Sequence, residues 1–190
     1  MKKILITALA LFIANSASAQ DVRIGIKAGG NLSTVTSAPV GTKMKLGFHV
    51  GGFLDFKFYE RFGLQPELLY SMQGHKYAEI GEEWNISINT TFDYINVPVL
   101  LKINIAEGFS AEIGPQIGFL IGARYKISGE SGSFTDDCNT IDVTALAGLS
   151  YTFAENFVVS ARYGLGLTKI SKDDDKIKNS VIQLSVGYKF

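Results

Sequence analysis

The sequence predicts an all-β fold, an eight-stranded antiparallel up-and-down transmembrane β-barrel, and three observations predict it. Apolar residues alternate with polar or small ones in eight separate stretches. The connections between those stretches alternate between very short and long. The final stretch reads SVIQLSVGYKF and stays strand-like up to Phe190. A terminal strand with one greasy face would be an open edge if left unpaired, and closing a barrel gives it a neighbour on each side.

At the other end, Met1, Lys2 and Lys3 form a positive region, residues 4–14 an apolar run, and Ala17, Ser18 and Ala19 a small-residue cleavage site. A signal peptide over 1–19 is therefore expected, cut between Ala19 and Gln20, with one mature domain over 20–190. The apolar run is well short of the roughly 20 residues a spanning helix needs. No cysteine follows the cleavage site to carry a lipid.

The strands follow in order. The first puts Val22, Ile24, Ile26, Ala28 and Leu32 on one face, against Arg23, Gly25, Lys27, Gly29 and Asn31. The second sets Leu46, Phe48, Val50, Leu54, Phe56 and Phe58 against Gly47, His49, Gly51, Asp55 and Lys57, and the third sets Phe62, Leu64, Leu68, Tyr70 and Met72 against Gln65, Glu67, Ser71 and Gln73. In the fourth, Ile95, Val97, Val99, Leu101 and Ile103 oppose Asn96, Leu100 and Lys102. The fifth opposes Phe109, Ile113, Ile117, Phe119, Ile121 and Tyr125 to Glu112, Gln116, Arg124 and Lys126. The sixth carries Ile141, Val143, Ala145, Ala147, Leu149, Tyr151 and Phe153, and the seventh Phe157, Val159, Ala161, Tyr163, Leu165 and Leu167. Ile182, Leu184, Val186 and Tyr188 mark the eighth. Pro66, Pro98 and Pro115 fall inside predicted strands and cannot donate to a ladder, so bulges or irregular pairing are expected there.

Short turns are expected at 59–61, 106–108 and 154–156, and longer polar connections at 33–45, 78–89, 128–140 and 170–179. Short turns on one rim and long loops on the other is the outer-membrane arrangement, with the short side periplasmic. A secreted lipocalin-like barrel would also alternate, but with its apolar face inward. The polar face here is rich in glycine, which suits a narrow interior, and aromatics gather beside the short turns as an interfacial girdle.

Composition agrees. Lys+Arg and Asp+Glu are balanced at 18 each, which gives no support to nucleic-acid binding, and the single Cys138 excludes an internal disulfide and is expected as a free loop thiol. The lumen face would hold Arg23, Lys27, Asp55, Lys57, Glu67, Lys102, Glu112, Arg124, Arg162 and Lys189. Facing lipid at mid-bilayer, an Arg or Lys would cost about 2–4 kcal/mol. Eight strands leave room only for side chains, so a structural salt-bridge network is expected in place of a wide pore.

For catalysis the best constellation is Ser71, His75 and Asp93, but Ser71 and His75 lie about 13 Å apart along one strand face, too far for a hydrogen bond. No enzymatic role, cofactor or metal is expected. Asp173, Asp174 and Asp175, flanked by Lys172, Lys176 and Lys178, are candidates for cations or lipopolysaccharide phosphates, although such a run is more commonly a solvated one. Glu82, Glu83 and Trp84, and Phe134 with Asp136 and Asp137, are candidate contact surfaces. No peptide motif names a protein partner.

GIKAGGNLS (25–33), LQPELLYSMQG (64–74), YINVPVLLKI (94–103) and IGPQIGFLIGA (113–123) resemble segments shared by small outer-membrane β-barrel proteins of the porin-family or PorT-like group. The resemblance implies an eight-stranded barrel in the outer membrane of a diderm bacterium, with prolines as family features of the wall. It names no activity. One branch of the group is associated with protein secretion, and no residue here is diagnostic of that role. Tyr188 and Phe190 resemble the C-terminal signal that barrel-assembly machinery reads. The expected role is therefore structural or surface interaction through four extracellular loops, with outer-membrane lipids and lipopolysaccharide as neighbours. A narrow channel or secretion accessory comes second, and a lipid-modifying enzyme third.

Overall fold

The computed structural model describes residues 21–36, 41–80, 85–127, 130–171 and 177–190. The expected cleavage site at Ala19 and Gln20, the loop residues Glu82, Glu83 and Trp84, and the acidic run at 173–175 lie outside them. The strands are β1 (Asp21–Val35), β2 (Thr42–Lys57), β3 (Phe62–Ile80), β4 (Asn85–Ala106), β5 (Phe109–Ile127), a short β6 (Glu130–Ser133), β7 (Ile141–Phe153), β8 (Phe157–Gly166) and β9 (Asn179–Lys189). All but β6 form the barrel wall, each antiparallel to its neighbours, and β9 pairs with β1 from Lys189↔Gly25 to Asn179↔Val35 to close it.

The register defines the barrel's shape. From Thr152 on β7, directly paired residues run through Val158, Gly187, Lys27, Gly51, Leu69, Asn96 and Gly118, returning to β7 at Asp142, ten residues away. That stagger over eight strands tilts them by roughly 40° to the axis. Along β8 every odd residue from Phe157 to Leu165 is exposed and every even one from Val158 to Gly166 is buried. The exposed set is apolar and the buried set includes Ser160 and Arg162. This reverses the order of a water-soluble barrel.

Aromatic rings line the rim of short turns. Phe109 meets Tyr151 at 4.4 Å, and a chain runs from Phe153 to Phe157 (5.4 Å), Tyr188 (5.1 Å) and Phe190 (5.3 Å). The turn between β4 and β5 needs a glycine. Gly108 has φ 76°, and a Cβ there would lie 2.7 Å from the Tyr151 ring.

The prolines do not produce bulges. Pro66 faces Val99, Pro98 faces Gln116 and Pro115 faces Ala145, and the register is the same on either side of each. Beside Pro66 and Pro98 the ladder skips two residues without slipping. The register shifts lie instead between Met44 and His49, between Asp93 and Tyr94, and between Asn104 and Ala106.

Strand continues where long loops were expected. β3 and β4 pair out to Ile80↔Asn85, β5 follows β4 to Ile127, and β6 adds a fourth strand through Arg124↔Ser133 to Ile127↔Glu130. Among the described strands this sheet rises above the mouth on one flank, whereas β8 on the other ends at Gly166. The mouth itself is plugged. Val35, Phe92, Tyr94, Leu120, Ala123, Cys138 and Ile170 form a buried apolar cluster, with Phe134 and Ile177 against it. The Cys138–Ser171 bridge and the bond from Asn139 N to Ile170 O (2.7 Å) join the third and fourth long connections across it. Cys138 is thus a buried thiol held inside the plug, in no disulfide and not displayed on a loop, and Phe134 packs inward in place of offering a contact surface.

Candidate functional site

Alternation aims one side of every strand at the lumen, and the stagger decides which of those residues meet. Glu67 of β3 lies at the centre. It accepts two bonds from the Arg162 guanidinium (2.8 and 2.9 Å), one from Lys27 Nζ (3.2 Å) and one from Gln65 Nε2 (2.6 Å). Arg162 Nε also donates to Glu112 Oε2 at 2.6 Å. The four charged groups are formally neutral together and all buried. Paired and hydrogen-bonded in this way, they avoid the large penalty of isolated charge in a dry interior.

On the long-loop side of this quartet a neutral network fills the space. His49 Nδ1 donates to Asn31 Oδ1 (2.7 Å), since an amide oxygen can only accept, and its Nε2 therefore accepts from Ser185 Oγ (2.8 Å). Asn31 Nδ2 reaches Ser71 Oγ and the carbonyls of Phe48 and Met72. Toward the short turns, Phe53 turns inward over Gly25, where a Cβ would fall 2.3 Å from its ring. Beyond Phe53, Asp55 accepts from Lys102 (3.0 Å) and Lys189 (3.4 Å). Arg23 Nη1 donates to Glu155 O at the rim (3.4 Å). These groups line a cavity of about 770 Å³ that includes residues of all three short turns, such as Glu60, Glu107 and Ala154.

Nine of the ten charged residues expected on the lumen face lie there: Lys27, Glu67, Glu112 and Arg162 in one group, Asp55, Lys102 and Lys189 in a second, and Arg23 and Lys57 lining the cavity at the rim. Arg124 does not. The shift between Asp93 and Tyr94 sets Asp93 opposite Gly122 and Tyr94 opposite Leu120, an extra residue on β5 that reverses its alternation. Arg124 consequently emerges on the outer wall, its side chain 62% exposed, and pairs with Asp93 at 2.5 Å, while Asp93 also accepts from Tyr70 Oη at 2.8 Å.

The same geometry separates the three residues considered for catalysis. Ser71 is fully buried in the lumen and bonded by Asn31 and Gln73. The His75 ring lies 6.3 Å from that of Phe92 in the plug, and Asp93 is on the opposite face of the wall. These three do not converge.

An antiparallel barrel that is closed, apolar outside and filled with paired charges inside is a small membrane-spanning barrel. The chain belongs to the outer membrane protein beta-barrel domain family, whose model matches residues 14–172, and it resides in the outer membrane. Several solved structures share the fold. Ail, the attachment invasion locus protein of Yersinia pestis, is 22% identical with a TM-score of 0.51, covering 90% of this chain and 99% of its own. Neisserial surface protein A is 13% identical with a TM-score of 0.55, covering 91% and 100%. No curated protein matches at significant similarity.

Proposed function

We propose that the protein works from its outer side, as a structural or surface-interaction barrel and not as a conduit or a catalyst. The occupied lumen carries this reading. A solute would have to displace Phe53, break the Lys27–Glu67–Arg162–Glu112 quartet and unseat the apolar plug in succession. What the barrel offers its surroundings is the outward face of its wall and the sheet and connections above the mouth. Planar-bilayer recording of purified protein tests the proposal, with no steady single-channel openings expected. Reproducible openings would overturn it in favour of a narrow channel entered from the periplasmic cavity.

A further inference from the structure

The outer wall of the tall flank carries three lysines that no carboxylate among the described residues pairs with. Rings fix the faces here. Phe134 lies 5.9 Å from Phe92 and 6.0 Å from Tyr125, and His75 lies 6.3 Å from Phe92, so His75, Phe92 and Tyr125 share the inner face. Alternation then puts Lys76, Asn89, Arg124 and Lys126 on the outer face. Lys43 is directly opposite Lys76, Lys76 opposite Asn89, and Asn89 opposite Lys126, so one cross-strand row holds three exposed lysines. Two like charges directly opposite each other destabilise a strand pair. Among the described residues no carboxylate pairs with any of the three, and the Asp93 carboxylate beneath them is already held by Arg124 and Tyr70.

The position of this row selects its counterion. The wall below carries the exposed apolar residues Leu46, Phe48, Leu68, Phe119 and Ile121, and Tyr70 points its hydroxyl upward beside Phe48 (5.6 Å). An aromatic belt residue of that kind marks the membrane surface. With about 3.3 Å of rise per residue, the lysines stand one or two residue pairs above the last lipid-facing side chains. They also face sideways, along the membrane, and not up from the mouth.

We propose that Lys43, Lys76 and Lys126, with Arg124 at their base, bind the phosphates of a phosphorylated glycolipid of the outer leaflet, whose acyl chains pack on the apolar wall beneath. The shared anion removes the repulsion between Lys43 and Lys76, and the apolar wall favours a lipid over a soluble phosphate. The site is independent of anything the loops contact.

Native mass spectrometry of the detergent-solubilised barrel with diphosphoryl lipid A is the test. K43Q/K76Q/K126Q is expected to weaken binding at least tenfold, whereas R61Q, which removes a cation from the opposite rim, leaves it unchanged. Heat-modifiable migration of each variant reports that its barrel is closed. Three results would each overturn the proposal: equal binding by the triple variant, equal binding of lipid A stripped of its phosphates, or displacement of bound lipid A by equimolar inorganic pyrophosphate.

Discussion

At the scale of single residues, Glu67 does most to hold the interior together. Among the described residues it is the only carboxylate bonded to Lys27, and it receives both terminal nitrogens of Arg162. Glu67→Gln leaves two cations facing a neutral amide, and removing one member of a buried ion pair costs about 3–5 kcal/mol. Urea unfolding in lipid vesicles is expected to show that loss. Asp137→Asn, at an exposed turn position, should stay within about 0.5 kcal/mol of wild type. The sequence identified which groups face inward but not which ones touch. Arg162 and Glu67 are 95 residues apart. Their contact depends on the ten-residue stagger of the closed barrel, a property of the register between all eight strands that no single strand encodes. Phe53 was missed for a related reason. It lies between Gly52 and Leu54 in an apolar run, where alternation has little contrast, and its place inside depends on glycines of other strands, Gly25 and Gly187, against its ring.

At the scale of elements, strict alternation holds until one residue is inserted. In β1, β8 and β9 the outward and inward sets are those the pattern predicts, because nothing interrupts the period of two. In β5 the extra residue near Ile121 and Gly122 reverses everything beyond it, turning Ala123 inward and Arg124 outward. Bulges leave no reliable mark in composition, whereas prolines do, and here the prolines were accommodated without a slip. In a Cys138→Ser background, Arg124→Cys should react with a membrane-impermeant maleimide on intact cells and Ala123→Cys should not. Deleting Gly122 is expected to exchange the two outcomes. Labelling of both positions in the parent barrel would place the reversal elsewhere.

For the whole molecule, closure rests on the seam between β9 and β1. Phe190 continues it with a bond from its N–H to Ile24 O (2.8 Å), and its ring meets Tyr188 in the girdle. Phe190→Ala keeps the backbone bond and removes the ring. It is expected to lower the folded fraction in cells, read by heat-modifiable migration, while purified protein refolds into vesicles at the wild-type rate. Equal slowing in both settings would assign the ring to interface anchoring alone. The number of strands, the direction of each face and the membrane as solvent were legible in the sequence because all three follow from periodicity and turn length. The plug was not, since Val35, Cys138 and Ile170 come from three distant connections that meet only once the barrel has closed.

A cylinder in a membrane is usually taken to look the same from every side, and this one does not. The sheet of β3 to β6 and the lysine row occupy the same flank, while the β7–β8 side stops low. The protein therefore has a front and a back in the plane of the membrane. In a crowded outer leaflet, rotation about its long axis changes what its neighbours encounter. Lipids gathered at the front would give adjacent copies a preferred heading, so that lateral order could arise without any direct contact between proteins.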